Sequence, residues 1–96
     1  MELKTQVDGN KATIALEGKL SVATSPDLEA AIQGLPEDTN EFVIDLANLE
    51  YISSAGLRQV VAAHKKMRGA LTIINVSAEV MQVFKMAGFD KRLNIS

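Results

Sequence analysis

Apolar runs of strand length alternate with segments of helical periodicity along this chain of 96 residues. The first two runs flank a polar stretch at 8–10, where Gly and Asn favour a hairpin turn because both tolerate positive φ. Helical patterns separate the later runs, which predicts crossover connections between parallel strands. We therefore predict a single α/β domain over residues 1–96, in which a mixed sheet of four to five strands packs with three to four helices. The predicted strands are 3–7, 13–16, 42–46 and 71–76, with an edge strand at 92–95.

Three helical patterns carry start and stop signals as well as apolar stripes. The first begins with Ser25 as its cap and Pro26 at the first helical position, where no backbone N–H is needed. The second spans about 55–68, and the third is capped by Ser77. The helices end at Gly34, Gly69 and Gly88, and their predicted inward faces are Leu28, Ala31, Ile32 and Leu35; Leu57, Val60, Val61 and His64; and Val80, Val83, Phe84 and Ala87.

Several other side chains are expected to have structural roles. The run at 42–46 is nearly all apolar, which favours a central strand covered on both faces. Residues 18–21 and Glu50 are predicted to lie in loops, and Asp45 in a strand. Nothing requires the Asp45 and Glu50 carboxylates to converge as a catalytic pair, so structural roles are favoured for both. Met81 and Met86 lie off the inward stripe of the third helix or at its margin. We interpret them as filling a gap in the core, with an apolar surface patch as the alternative.

Composition narrows the classes of function. Hydrophobic residues make up 47% of the chain and charged residues 23%, as in ordinary soluble globular domains. The formal net charge of -2 gives no general attraction to nucleic acid or to anionic membranes, both of which favour basic surfaces. The chain has no cysteine and no His/Asp/Glu cluster with metal spacing, so we expect no disulfide, metal or cofactor. No apolar run reaches the length of a signal peptide or a membrane span, and we expect a cytoplasmic protein without direct membrane insertion.

Two adjacent serines and a glycine stand where the predicted central strand gives way to the second helix. Residues 51–58 read YISSAGLR, which places Ser53 and Ser54 where backbone N–H groups are unpaired and the helix dipole is positive. A serine at such a place serves as an N-cap and, once modified, can hold a phosphate. From position alone, capping is the favoured role for Ser54, and Ser53 competes for it.

The residues around Ser54 disfavour a catalytic role for its hydroxyl. His64 is the only histidine, and it lies ten residues further along the same predicted helix, about 15 Å away at 1.5 Å per residue. That distance is beyond hydrogen-bond reach for a general base, and no Gly-x-Ser-x-Gly elbow surrounds Ser54. A structural role for His64 is favoured, and we assign no catalytic residue.

Three segments resemble motifs of the STAS domain family, the fold of bacterial anti-sigma factor antagonists. Residues 45–57, DLANLEYISSAGL, resemble the family signature D-L-x-x-(V/L)-x-(F/Y)-(M/I)-D-S-(S/T/A)-G-(L/V). Residues 18–29, GKLSVATSPDLE, resemble the family's entry into its first helix, and residues 84–89, FKMAGF, resemble the end of its third helix. The family pattern has Asp where this chain has Ser21 and Ser53.

This resemblance implies a switch controlled by phosphorylation. In the family, a serine kinase that is also the anti-sigma factor phosphorylates the serine after the signature Asp, and a metal-dependent serine phosphatase reverses the reaction. The unmodified form binds the kinase and releases the sigma factor. By position the phosphorylated serine is Ser54, with Ser53 as the less favoured site. The residues implied to meet the partner are Ser21, Thr24, Ser53, Ser54, Ala55, Gly56, Leu57 and Arg58.

A second function is compatible with the same resemblance. Some STAS proteins are stand-alone subunits docked to membrane transport complexes and are not phosphorylated. Members of that kind often lack the switch serine, whereas this chain has Ser54, which favours the anti-sigma factor antagonist. A small enzyme with Ser54 as its nucleophile is a third hypothesis, and the absence of a nearby base argues against it.

Overall fold

Strands and helices alternate in the order that the sequence predicts. The structure, a computed structural model, describes residues 1–67 and 70–95, so the predicted helix end at Arg68 and Gly69 lies outside the described residues. The described elements form one α/β domain with a mixed sheet, in agreement with the predicted fold class. They are β1 (Glu2–Asp8), β2 (Lys11–Leu20), α1 (Ser25–Gln33), β3 (Glu41–Ile52), α2 (Ser54–Lys66), β4 (Leu71–Ile74), α3 (Ala78–Ala87) and β5 (Asn94–Ile95).

The five described strands lie side by side in chain order, from β1 to β5. β1 and β2 are antiparallel and are joined by the predicted turn, in which Gly9 has a φ of 60°. The other neighbouring pairs are parallel, so α1, α2 and α3 act in turn as crossover connections. Because such crossovers are right-handed, three of them in the same direction place the three helices on one face of the sheet.

One face of the sheet is buried, whereas the other is only partly covered. Ile14, Ile44 and Ile73 lie side by side in β2, β3 and β4 and have no exposed surface. On the opposite face, the register partners Asp45 and Ile74 are half-buried. The prediction that the central strand is covered on both faces is therefore confirmed only in part: Val43 on the opposite face is buried, but Asp45 is half-buried because the helices all pack on the other side.

The strands β2 and β3 are longer than the apolar runs predict. They pair in parallel from Lys11 and Glu41 to Leu20 and Ile52, through two irregularities in register. Residues 18–20 and 47–50, including Glu50, therefore lie in strands rather than loops. Gly18 has a φ of 98° next to one irregularity, so a glycine that signals a turn in the sequence instead permits a bulge.

The helices contact the sheet through stripes close to the predicted ones. Ala87 is exposed rather than inward, because it is the last residue of α3 before Gly88 turns the chain with a φ of 78°. Ala63 is buried although it was outside the predicted stripe, while His64 is half-buried. None of the described helices is long and apolar enough to cross a membrane. The buried apolar helix residues are Leu28 and Ile32 in α1; Leu57, Val60 and Ala63 in α2; and Val80 and Phe84 in α3.

The start of α1 differs from the prediction. Its N-cap residue is Thr24 rather than Ser25, and Thr24 makes no side-chain cap hydrogen bond. Pro26 lies in the first turn as predicted. Backbone N–H groups there have no acceptor within the helix, so a proline costs no hydrogen bond. Thr24 makes no side-chain cap bond because its hydroxyl is hydrogen-bonded within the preceding loop.

The first turn of α2 packs directly against the end of β2. The Ser53 N–H donates to the carbonyl oxygen of Leu20 at 2.8 Å. Gly56 is buried at this contact, and a Cβ on it would lie 2.7 Å from Leu20 Cγ and 2.9 Å from the Leu20 carbonyl oxygen. Because only glycine fits in this space, Gly56 determines how closely the helix approaches the strand.

Truncation of Val60 tests the buried face of α2. Val60 has no exposed surface, so Val60→Ala should lower the free energy of unfolding by about 2 kcal/mol through lost burial and the cavity left behind. Urea unfolding followed by circular dichroism measures this change. Lys66→Ala, on the exposed side of the same helix, should change stability by less than about 0.5 kcal/mol. An unchanged midpoint for Val60→Ala would show that the inward face is misassigned.

Gly56→Ala should destabilise the protein, although alanine is the better helix former by about 1 kcal/mol. The new methyl group would force Leu20 and its backbone to move, and such overpacking costs about 1–3 kcal/mol. Gly34→Ala is the matched control, because a Cβ at Gly34 would come no closer than 3.4 Å to the Ala30 carbonyl oxygen. Thermal unfolding compares the two variants. A Gly56→Ala protein with the melting temperature of the wild type would contradict the close packing of α2 on β2.

Candidate functional site

Two loops meet at the edge of the sheet where the parallel strands end. Leu20 ends β2 and Ile52 ends β3, and these residues are register partners, so Ser21 and Ser53 follow them at the same edge. In open α/β sheets, the loops at the carboxyl ends of the strands are the usual place for binding sites. This edge and the first turn of α2 form the candidate site.

Thr24 holds the loop between β2 and α1 in shape. Its hydroxyl accepts the N–H of Ser21 at 2.8 Å and donates to the carbonyl oxygen of Lys19 at 2.8 Å. The hydroxyl of Ser21 lies 3.4 Å from Thr24 Oγ1. The polar capacity of Thr24 is thus largely used inside the loop, which gives this predicted partner contact a structural role.

The two adjacent serines have different environments. Ser53 is the N-cap of α2, with φ -90° and ψ 172°, and its Oγ accepts the N–H of Gly56 at 3.1 Å. Ser54 is the first helical residue and is exposed, and its hydroxyl makes no hydrogen bond with any residue of 1–67 or 70–95. The capping role that position alone favoured for Ser54 therefore belongs to Ser53, and the Ser54 hydroxyl is left accessible.

The first turn of α2 favours a negative charge. It contains no acidic residue, and its unpaired backbone N–H groups form the positive end of the helix dipole. Arg58 is exposed and lies four residues after Ser54, and side chains with this spacing are neighbours on a helix. A phosphate on Ser54 would therefore meet backbone N–H groups and a guanidinium, with no carboxylate in the same turn.

The eight predicted partner contacts all lie at this end of the domain, but at different depths. The two buried ones have packing roles: Gly56 packs on Leu20, and Leu57 belongs to the core. The accessible part of the site is therefore centred on Ser54 and Arg58. Ser54 and Arg58 are exposed; Ser21, Thr24, Ser53 and Ala55 are half-buried; and Gly56 and Leu57 are buried.

A groove between α2 and α3 adjoins Ser54 and is absent from the predictions made from the sequence. Its volume is about 380 Å³. A second hollow of about 410 Å³ shares Ser54, Leu57 and Ala87 with it and continues toward Tyr51 and Met86. We use the name α2–α3 groove for the first hollow, which is lined by Ser54, Leu57, Arg58, Val61, Ala62, Lys65, Ala87 and Phe89.

The two methionines of α3 have opposite environments. Met81 packs against the core, as interpreted from the sequence. Met86 is 82% exposed, so its interpretation as a core residue is wrong. It follows the buried Phe84 by two residues, which is about 200° around a helix and therefore on the far side. The exposure of Met86 is readable from this spacing, but its nearness to Ser54 depends on how α3 crosses over the sheet.

The other candidate residues keep structural roles. The Asp45 side chain accepts the N–H of Ala47 at 2.9 Å and the side-chain amide of Asn75 at 3.1 Å, so it is hydrogen-bonded within the fold. Glu50 is exposed on β3. His64 lies in the last turn of α2, at the opposite end from Ser54. These placements bring neither a carboxylate pair nor a general base to the Ser54 hydroxyl.

Several of the proteins to which this chain is similar are named anti-sigma factor antagonists. The Bordetella bronchiseptica protein BtrV, whose name assigns it provisionally to the anti-sigma factor antagonists, is 36% identical over 78 residues, covering 77% of this chain and 67% of BtrV. An anti-sigma factor antagonist from Mycobacterium paratuberculosis has the same fold, with a TM-score of 0.86 at 22% identity over 98% of this chain and 83% of that chain. SpoIIAA, a Bacillus cell fate determinant, matches in its unphosphorylated form with a TM-score of 0.80 at 17% identity, over 99% of this chain and 88% of that chain.

A family model described as "Mlab, STAS domain" matches residues 3–95, which is nearly the whole chain. The element order, the mixed sheet and the motif at the start of α2 are those expected from the resemblance. The chain therefore belongs to the STAS domain family.

Proposed function

We propose that this protein is an anti-sigma factor antagonist whose partner binding is switched by phosphorylation of Ser54. In the unphosphorylated form it binds an anti-sigma factor serine kinase in the cytoplasm, which releases a sigma factor. A metal-dependent serine phosphatase restores this form. The observation that carries the proposal is the division of roles at the start of α2, where Ser53 caps the helix and the Ser54 hydroxyl is exposed and unbonded within the described residues. The names of BtrV and of the structurally similar proteins support the same class.

The local geometry explains why Ser54 is suited to phosphoryl transfer. Its Oγ is at the protein surface and gives up no hydrogen bond when a phosphate is added. The first N–H groups of an α-helix have no partner within the helix, so the phosphoryl oxygens can accept hydrogen bonds from them. Phosphorylation should therefore leave the fold intact and add a charge of about −1.5 to −2 at the partner surface.

The two serines that replace the family's Asp residues change the charge of the site. Ser21 and Ser53 are neutral and lie at the same edge of the sheet as Ser54. A phosphate on Ser54 is therefore not repelled by carboxylates at these two positions. The unmodified site also presents hydroxyl groups, rather than acids, to its partner.

Within residues 1–67 and 70–95, the same site offers no catalytic partner for Ser54. A serine nucleophile needs a base within hydrogen-bond reach, and His64 lies at the other end of α2. The proposed function is therefore binding, and the chemistry of the switch belongs to the kinase and the phosphatase.

Phosphorylation is tested with an anti-sigma factor serine kinase from the same organism, chosen first from among the genes beside this one. After incubation with ATP, mass spectrometry should locate one phosphate, on Ser54. Ser54→Ala should remain unmodified and keep kinase binding. Ser54→Asp should weaken binding in part, because a carboxylate carries less charge and fewer acceptor atoms than a phosphate. Ser53→Ala is the matched control: it should lose about 1 kcal/mol of stability with the cap, yet still be phosphorylated on Ser54.

Two results would contradict this prediction. Phosphate on Ser53 in the wild type would show that the N-cap residue, rather than the exposed one, is the substrate. Absence of phosphate from both serines, together with unaltered partner binding by Ser54→Asp, would favour the unphosphorylated subunit of a membrane transport complex.

The absence of a base near Ser54 also predicts the result of an activity assay. The purified protein should hydrolyse neither p-nitrophenyl esters nor nucleoside triphosphates above the rate of buffer. The control is Ser54→Ala, which should give the same background. Turnover that the wild type shows and Ser54→Ala loses would mean that Ser54 is a nucleophile.

A further inference from the structure

The α2–α3 groove has an apolar floor and a basic rim. Leu57, Val61 and Phe89 contribute apolar surface to it, and Arg58 and Lys65 are its charged residues. Among the described residues, no Asp or Glu lines it. The groove thus has a positive local charge in a chain whose formal net charge is -2.

The cations of this groove are not neutralised by the protein itself. Arg58 and Lys65 form no ion pair within residues 1–67 and 70–95. Arg92, which is not one of the lining residues, lies over the ring of Phe89, with its guanidinium carbon 6.0 Å from the ring centroid. The basic rim is therefore available to carboxylates from another molecule.

We propose that the α2–α3 groove receives an acidic, apolar segment of the protein partner. Carboxylates of that segment contact Arg58 and Lys65, and its apolar side chains pack on Leu57, Val61 and Phe89. This inference rests on the proposed function, because it assigns a chemical character to the partner of the same site. Asp at the positions of Ser21 and Ser53 would pair with a basic partner surface, whereas Arg58 and Lys65 call for an acidic one.

The surroundings of the groove favour a protein segment over a small ligand. The groove is continuous, through Ser54 and Leu57, with the hollow that reaches Tyr51 and Met86. Tyr51 is 50% exposed and Met86 is 82% exposed. Tyrosine, methionine and arginine are enriched at protein interfaces, and exposed apolar side chains around a groove are typical of a docking surface.

The position of Arg58 connects this docking surface to the switch. Ser54 and Arg58 have the i, i+4 spacing that brings side chains together on a helix. A phosphate on Ser54 can therefore pair with Arg58, and charge-assisted arginine–phosphate contacts are among the stronger hydrogen bonds. Phosphorylation then weakens partner binding in two ways. It engages the arginine that would bind a carboxylate of the partner, and it adds a negative charge that repels the partner's carboxylates.

The test uses two synthetic helical peptides of about 15 residues with the same leucine face, one with glutamate and one with lysine on the polar face. Each is titrated into ¹⁵N-labelled protein at low salt. The glutamate peptide should shift the amide signals of Arg58, Val61 and Phe89, and the lysine peptide should not. Arg58→Glu and Lys65→Glu should each weaken the glutamate peptide about 3- to 10-fold. Lys66→Glu is the matched control: it makes the same charge change on the same helix outside the groove and should have less than about 2-fold effect.

Several results would overturn the inference. These are equal or tighter binding of the lysine peptide, shifts confined to another surface, or no binding of either peptide. Sodium decanoate tests a small amphipathic anion, and groove shifts with decanoate but not with the glutamate peptide would reject a protein segment. Ser54→Asp should weaken the glutamate peptide, and an unchanged affinity would reject the link to the switch. Because no kinase is needed, this experiment can fail while phosphorylation of Ser54 succeeds, and the reverse also holds.

Discussion

The contact of Gly56 with Leu20 is the interaction on which the candidate site depends. The space between them does not admit a Cβ, and the carbonyl oxygen of the same leucine accepts the N–H of Ser53. Leu20, at the end of β2, thus anchors both Ser53 and the first turn of α2. With the cap and the buried glycine held in place, Ser54, the residue directly after the cap, faces outward. Accessibility of the hydroxyl is therefore a product of backbone packing.

The element order could be predicted because its signals are local. Ser77 caps α3 and Gly88 ends it in the left-handed conformation, as their residue types indicate. The ends of β2 and β3 could not be predicted, because their pairing is non-local and passes through irregularities in register. Leu49 and Ile52 are buried although they lie outside the apolar run at 42–46. The polar residues next to Leu49 make this part of β3 resemble a loop when only the sequence is considered. Coverage of only one sheet face likewise follows from the direction of all three crossovers.

The candidate site was predictable in part. The resemblance to the STAS family singled out Ser54, but which serine caps α2 depended on a helix boundary that a sequence does not define to one residue. The contribution of α3 was out of reach for a different reason. Ala87 and Phe89 are more than 30 residues from Ser54 in the chain, and only the crossovers on the same face of the sheet bring them beside it. The groove is thus a property of topology, whereas the serine pair is a property of sequence.

The separation of cap from exposed hydroxyl has a thermodynamic consequence. Modification of the exposed hydroxyl breaks no hydrogen bond of the fold, whereas a phosphate there gains backbone N–H groups and Arg58 as partners only when α2 is formed. By linkage, a group whose partners exist only in the folded state stabilises that state. Turnover of a protein by quality control tracks its unfolded fraction, so a phosphorylated form is degraded no faster than the unmodified one. A pool of modified protein can then be stored and returned to the binding form without new synthesis.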